Sequence, residues 1–238
     1  MESRLTDLEL LEIDLDALFV HDARGRIVRS NEPDGEPAPR FVFGRTRVGN
    51  AWRVGHDVPD AVARRLVSLA AAEPVRDDLA TPPARFDEMH AALGAKFDPE
   101  TRGYGPGYRF PESIPNLPGA IPITRDDVHL LHRIVDDLVW PRSALDAGDI
   151  WTAVVTDGAA VSICFCSRLT DRAAEAGVET LAGYRGRGYT PVAVAAWARA
   201  VRDSGRIPFS STSHDNVASK AVARKLGLAQ YMVGFRIA

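Results

Sequence analysis

The stretch AEAGVETLAGYRGRGYTPVAVAAWARAV, from Ala174 to Val201, changes its grammar twice. Ala174–Thr180, with β-branched Val178 and Thr180, predicts a short strand. Gly183-Tyr184-Arg185-Gly186-Arg187-Gly188-Tyr189 then breaks both strand and helix periodicity. From Thr190 onward Ala, Val and Trp dominate, with Val194, Trp197 and Val201 on one helical face. Thr190 is the expected N-cap, and Pro191 suits the first helical position, where an N–H would have no partner. The order is therefore strand, glycine turn, helix start. Glycines without Cβ let backbone N–H groups converge, the helix end adds partial positive charge, and Arg185 and Arg187 flank the point. This predicts an anion site suited to a pyrophosphate. Helix-end charge contributes only about 0.3–1 kcal/mol per exposed contact, so several donors must act together. Taken alone, the turn reads equally well as an ordinary tight βα connection. It is not a Walker loop, because no Gly-Lys-Ser/Thr occurs in the chain. Nor is it a dinucleotide fingerprint, because Pro191 stands near the place of the third glycine.

Downstream, Ser211-Thr212-Ser213-His214-Asp215-Asn216 leads into Val217-Ala218-Ser219-Lys220-Ala221-Val222-Ala223-Arg224-Lys225-Leu226-Gly227-Leu228. Gly227 is placed as a helix C′ residue, with Leu228 supplying the closing apolar contact. Tyr184–Tyr189 with its Ala-rich helix resembles the acyl-CoA loop of the GNAT superfamily of N-acetyltransferases. The second segment is similar to that superfamily's other signature, a strand ending in Asn and a helix ending in Lys-Leu-Gly-Phe. The resemblance runs from about Trp151 to Ala238.

Composition narrows the alternatives. A chain of 238 residues can bury a substantial core as one large or two small domains. A net charge of −3 and the lack of a basic, aromatic-interleaved patch argue against a nucleotide- or nucleic-acid-binding protein using the Arg-Gly-Arg-Gly loop, and against an anionic membrane. Lysine occurs only at Lys96, Lys220 and Lys225. Cys164 and Cys166 alternate onto one strand face and read as buried free thiols in a reducing compartment, with no metal and no activating neighbour to make a thiol acyl carrier. No signal peptide or membrane span is read, so the expected location is cytoplasmic.

The rest of the chain predicts an α+β protein. Residues 1–96 read as a small α+β domain: a short acidic helix, a strand at Ala17–Val20 returning through Asp22–Gly25 to Arg26–Arg29, and a proline loop at Asn31–Pro39. A second hairpin of Arg40–Thr46 and Trp52–Val54 follows, then a helix capped by Asp57. Val62, Leu66 and Leu69 form the inward face of that helix. His21 and His56 sit beside turns as ordinary polar residues. Residues 97–122 are dense in Pro and Gly and read as a linker. Residues 123–238 then give a helix from Thr124 to about Val139, followed by β-β-β-α-β-α-β, a mixed β-sheet flanked by helices. Within that helix His129, His132 and Asp136 have a spacing a metal could use, but they read as a solvated face, and no metal is assigned. The first two strands are joined by Asp157-Gly158.

The resemblance implies more than the pattern does. In that superfamily two parallel strands splay apart, and the pantetheine arm of acetyl-CoA lies between them. The first strand would be Val178-Glu179-Thr180, bonding pantetheine amides through Val178 and Thr180. The pyrophosphate would rest on Arg185, Gly186, Arg187, Gly188, Tyr189 and Thr190. Asn216 and Ser219 would meet the pantetheine arm, although Asn216 serves equally as a helix N-cap. Attack by an amine needs the free base, so Glu175 is the candidate catalytic base, with Glu179 as its alternative and a salt-bridged surface glutamate as the plain reading of either. The sequence departs from the family where many members carry a tyrosine to protonate the leaving thiolate: Ala223 stands there. The expectation is an acetyl-CoA (coenzyme A)-dependent N-acetyltransferase acting on a primary amine of a small molecule or protein. The alternative is a non-catalytic acyl-CoA-binding sensor, favoured by Ala223. The N-terminal region would line the acceptor site or supply a homodimer surface.

Overall fold

A computed structural model describes residues 5–32, 37–94 and 103–237. Part of the proline loop (33–36) and the start of the expected linker (97–102) lie outside them. The chain divides into two compact units. The first is Met1–Tyr108 with Ser211–Val217 and Gln230–Ala238; the second is Arg109–Ser210 with Ala218–Ala229.

In the first unit Thr6 starts helix α1 (Asp7–Leu18) through a capping box with Glu9. Strands β1 (Phe19–His21) and β2 (Ile27–Ser30) form a separate antiparallel pair around the Asp22 turn. β3 (Phe41–Thr46) and β4 (Asn50–Val54) make the second expected hairpin. Alternation along β3 puts Phe41 and Phe43 against the helices α2 (Asp60–Ala71) and α3 (Phe86–Ala92), where Leu66, Phe86 and Met89 complete the core. Strand β5 (Gly103–Arg109) and the chain's last strand, Ala229–Ile237, join them, the latter antiparallel to β3 and lying between β3 and β5.

Buried charge in this unit is structural. Arg45, wholly buried, donates to the carbonyls of Thr81 and Asp78 at 2.6 and 3.1 Å. Buried Glu73 accepts from the amides of Ala84 and Arg85 at 2.8 and 2.9 Å. Each satisfies backbone groups of a loop that has no other secondary structure to do so. Helix α2 begins at Asp60 behind Pro59, not behind Asp57. The proline ring keeps the preceding Val58 out of helical geometry, which leaves Asp57 too far upstream to cap.

The second unit is a mixed sheet with helices on both faces. Its strands are β6 (Ala120–Ile123), β7 (Trp151–Thr156), β8 (Ala159–Leu169), β9 (Ala173–Thr180) and β10 (Ile207–Ser211), paired in that order. The first four are antiparallel neighbours, and β10 runs parallel to β9. Asp157 and Gly158, at φ 52° and 73°, make the predicted hairpin turn. Helix α5 (Tyr189–Asp203) covers one face with Val194, Trp197 and Val201 buried to within 2%. The other face is closed by Trp151, Phe165 and Trp140. Helix α6 (Val217–Lys225) ends as predicted: the Leu228 and Gly227 amides donate to the Ala223 and Arg224 carbonyls at 2.9 and 3.1 Å, with Gly227 left-handed at φ 67°.

Two expectations fail here for a physical reason. The helix from Thr124 to Val139 is instead a 3-10 segment, Arg125–Leu131, held by a Thr124–Asp127 capping box, and then α4 (Val139–Asp146). Pro141 bars any helix arriving from Thr124 from running on into α4, because its ring would strike the carbonyl four residues back and its nitrogen carries no hydrogen. Restarting at Val139 puts Pro141 in a first turn, where neither matters. The Pro/Gly-rich stretch read as linker carries β5 and β6. Gly105 is there because a Cβ would lie 1.8 Å from the carbonyl oxygen of Thr212. His129 and His132 are exposed, each ring resting a nitrogen 2.8 or 2.9 Å from a local carbonyl. No helix among the described residues is long and apolar enough to cross a membrane.

Both cysteines are free and buried on the α5 face of β8. Burial pushes the Cys166 thiol up to about 12 and the Cys164 thiol well above its usual value, with the neighbouring Asp149 carboxylate adding to each. Two outcomes are expected. Gly105→Ala should destabilise the protein by about 2–3 kcal/mol in urea denaturation, because backbone, not a pliable side chain, must move. Neither thiol should react with an aromatic disulfide in the native state. Between pH 9 and about 12 the unfolded chain releases thiol protons that the native chain keeps. Stability must therefore fall as pH rises through that window, by at most about 1.4 kcal/mol per pH unit per thiol, and Cys166→Ala should lessen the slope.

Candidate functional site

The site forms where β9 gives way to α5. β9 pairs with β8 along its whole length, from Leu169↔Ala174 to Ser162↔Thr180. With β10 it pairs only at Ile207↔Ala173, Pro208↔Ala174 and Phe209↔Glu175. Beyond Glu175 the two parallel strands part, so five residues of β9 present one edge that β10 does not engage. Val178 and Glu179 are exposed there.

After Thr180 the chain makes a 3-10 turn, Ala182–Tyr184, then Arg185 and the glycines. Gly186 and Gly188 are left-handed, at φ 74° and 85°, a conformation that costs a residue with Cβ about 1 kcal/mol or more. Gly188, rather than Thr190, is the N-cap of α5. Its left-handed turn starts the helix two residues earlier and leaves Pro191 in the first turn, where no N–H is required. Among the described residues, the Tyr184 and Arg185 amides donate within the turn, to Leu181 and Ala182. Those of Gly186, Arg187, Gly188, Tyr189 and Thr190 make no hydrogen bond to any of the described residues. A Cβ at Gly183 or Gly186 would meet nothing within 4 Å, so the space in front of the turn is open.

Side chains tie this turn down. Thr190 has its hydroxyl 2.9 Å from that of Thr180, which lies 2.7 Å from buried Ser162. This hydroxyl chain links β8, β9 and the first turn of α5. Arg185 donates through Nε to the Thr180 carbonyl at 3.1 Å and sits 3.5 Å from the Glu179 carboxylate. The Arg187 guanidinium lies 5.1 Å over the Tyr184 ring, which is 6.3 Å from Tyr189. Lys225, at the end of α6, brings Nζ to 3.2 Å from where a Gly188 Cβ would be. Three cations and one carboxylate therefore surround five amides at a helix N-terminus, an arrangement suited to a phosphate-bearing ligand.

Of the residues singled out in the sequence, Thr180 and Arg185–Thr190 come together here. Val178 lies just upstream on the same strand. Glu175 is buried, 2% exposed, at the last β9–β10 pair, with Arg168 its cross-strand neighbour on β8. Ser219 is half-buried on α6, and Asn216, exposed, belongs to the first unit. Ala223 is buried in α6. Sequence reasoning missed two members. Ser162 could be found only from the register that sets it opposite Thr180. Lys225 was visible as one of three lysines, but its distance from the turn was not.

Removing the Thr180 hydroxyl strands those of Ser162 and Thr190. Thr180→Val should cost about 1–3 kcal/mol in urea denaturation. Val178→Thr, on the exposed edge, should be nearly neutral by the same measurement.

Comparison with families gives one match: the acetyltransferase (GNAT) domain aligns with residues 83–229, reaching back across the stretch read as linker. Comparison with curated proteins returned no match. Solved structures similar to the chain include a GNAT-family protein from Novosphingobium aromaticivorans DSM 12444, 17% identical over 56% of this chain with a TM-score of 0.45; the chain covers 63% of its length. A GNAT-family acetyltransferase from Colwellia psychrerythraea is 13% identical over 79% of this chain and 76% of its own, with a TM-score of 0.49. A GCN5-related N-acetyltransferase-like protein from Streptococcus suis is 17% identical over 84% of this chain and 85% of its own, with a TM-score of 0.44. The family match spans more than half of the sequence and takes in the glycine turn, β9, β10 and α6, and the chain belongs to the GNAT acetyltransferase family.

Proposed function

We propose that this protein is an acetyl-CoA-dependent N-acetyltransferase acting on a primary amine of a small molecule or protein. The observation that carries the reading is the set of five amides, Gly186–Thr190, without acceptors among the described residues, beside an edge of β9 that β10 leaves open. Those amides with Arg185, Arg187 and Lys225 fit a coenzyme A pyrophosphate, and the open edge at Val178 and Thr180 fits the pantetheine amides as an added strand would. Ser219 and Asn216 keep the pantetheine role that the family resemblance implies. Bound there, acetyl-CoA supplies an acyl group activated as a thioester.

The chain's own part is to deliver a neutral amine and exclude competing water. A primary amine with a pKa of about 10 is mostly ammonium at neutral pH, so a carboxylate has to accept its proton before attack. Glu175 is assigned that role: it is buried where β9 and β10 begin to part, in register with Arg168 on β8. Glu179 is held by Arg185 at the exposed end of the strand, which makes it the weaker candidate. Ala223 offers no proton to the leaving thiolate. A thiol with a pKa near 8.5 leaves tolerably as thiolate and takes its proton from solvent.

A thermal-shift comparison of CoA, ATP and NAD tests the ligand class; CoA at 100 times its Kd should stabilise by about 2.7 kcal/mol while the others do not. Thiol release over a panel of amines then tests transfer. Glu175→Gln should lower kcat roughly 10²- to 10⁴-fold with CoA binding intact. An unchanged rate moves the base elsewhere, and CoA binding without release from any amine leaves the sensor reading in its place.

A further inference from the structure

The first unit's sheet ends at β4, which pairs with β3 and, among the described residues, with no second strand along its length. β2 touches this edge only past its end, at the Ile27–Gly55 bridge. β3, by contrast, is matched on both sides, by β4 and by β11 (Ala229–Ile237). The register decides which groups β4 turns outward. At the two ends of the hairpin the Gly55 amide donates to the Arg40 carbonyl and the Thr46 amide to that of Gly49, at 2.8 and 2.9 Å. Opposed residues alternate between bonded and non-bonded pairs, so Ala51 and Arg53 use their backbone groups on β3, while Trp52 and Val54 point theirs away from it. The Trp52 carbonyl agrees, since it accepts from Arg53 Nη1 at 3.0 Å. The Trp52 and Val54 amides have no acceptor among the described residues. The edge thus offers N–H donors, with one of its carbonyls already covered.

A groove of about 380 Å³ lies against these residues, between β4, the β1–β2 turn and α2, all within the first unit. Trp52, Val54, Ala63 and Val67 make its apolar part, with Val67 39% exposed. The rest of the described lining is Gly25 and four arginines, with no carboxylate. Arg24 and Arg26 come from the turn, Arg53 from the strand and Arg64 from the helix, so the fold gathers a cationic cluster that no single run of sequence carries. Two of the four are fixed parts of the wall. Asp60 holds Arg26 at 2.6 Å, and Glu12 and Asp16 hold Arg53 at 2.6 and 2.9 Å. The other two are available. Arg64 is exposed and makes no hydrogen bond or ion pair among the described residues. Arg24, its side chain 63% exposed, approaches Asp22 and Asp60 only at 3.5 and 4.0 Å. An ammonium in the groove would meet guanidinium groups, whereas a carboxylate would meet unfilled N–H donors.

We infer that this groove docks an extended acidic segment of a partner protein, laid along β4 as an added strand. Carbonyls of the segment accept from the Trp52 and Val54 amides. Side chains two apart in a strand share a face, so an apolar residue against Trp52 and Val67 carries its flanking acidic residues, two positions away, to Arg24 and Arg64. The residues between them, on the side of Glu12 and Asp16, are neutral. The docking needs no coenzyme, so its test is separate from that of acyl transfer. Fluorescence anisotropy of the full chain with the labelled peptides Glu-Ser-Val-Ser-Glu and Lys-Ser-Val-Ser-Lys reads the charge preference. The acidic peptide should bind at least tenfold more tightly. Its D-valine form, whose central side chain leaves the apolar face, should bind at least tenfold more weakly, an effect that charge attraction alone does not produce. Arg64→Glu and Val67→Asp, both at exposed positions, should each weaken the acidic peptide at least tenfold with the circular dichroism unchanged. No binding, equal affinity for the two charges or for the two forms of valine, or normal binding by Arg64→Glu would overturn the inference. So would tighter binding of labelled oligothymidylate, or a dimer in sedimentation that Arg64→Glu dissociates, which would put a second copy of this chain on the edge.

Discussion

A strand inside a sheet has hydrogen-bonding groups along both edges, and β9 uses them unequally. One edge is matched by β8 from end to end, while the other is matched by β10 only as far as Glu175. Unpaired backbone groups away from water are costly, so a parting of strands persists only where solvent or a ligand reaches it. The other features of the site depend on this geometry. Thr180 ends the strand at a fixed point because Ser162 is registered against it. Thr190 is anchored to Thr180, so the first turn of α5 starts where the strand stops. The donors of Gly186–Thr190 find no acceptor among the described residues.

Much of this was legible in the residues. Asp157-Gly158 admits a left-handed pair of dihedrals, which dictates a two-residue hairpin. Gly227 after Lys225 and Leu226 dictates a helix stop, and both of its hydrogen bonds are present. The glycine turn declared its position, though not which residue would cap the helix: Thr190 is the better capping side chain, yet the left-handed backbone of Gly188 places the start ahead of it. Two elements were hidden because a local signal had a distant cause. Gly105 and Pro106 read as linker chemistry, but Gly105 is in a strand because the Thr212 carbonyl comes close to it, and a composition count cannot know of a neighbour more than a hundred residues away. The apolar spacing from Leu130 to Leu138 suited a helix until Pro141 set a limit on where one could run. Within the site, Ser162 and Lys225 were unreadable for the same reason. Each acquires meaning only from register or from the meeting of two helix ends.

The buried ionisable groups sort by what they satisfy. Arg45 and Glu73 complete the hydrogen bonding of irregular backbone in the first unit. Asp149 is raised from its usual range by burial and receives the Ile150 and Cys166 amides and the Trp151 indole, joining the start of β7 to the middle of β8. The cysteines beneath α5 are kept protonated by the same dry surroundings, which makes them packing residues. Glu175 stands apart from this group, because it is buried where the pairing of β9 with β10 ends.

The order of the chain has a consequence for its synthesis. The first unit's sheet runs β4, β3, β11, β5, so an interior strand is made of residues that follow β5 by more than a hundred positions in the chain. Until Ala229–Ile237 leaves the ribosome, β3 and β5 each lack a neighbour, and the Phe41–Phe43 core lacks Val233, Phe235 and Ile237. A nascent chain thus holds an incomplete hydrophobic layer through more than a hundred further residues, during which bare strand edges invite wrong partners. The α1–β4 region cannot reach its final state early, however local its hairpins are. Closure of that sheet is a late event that waits for the synthesis of Ala229–Ile237.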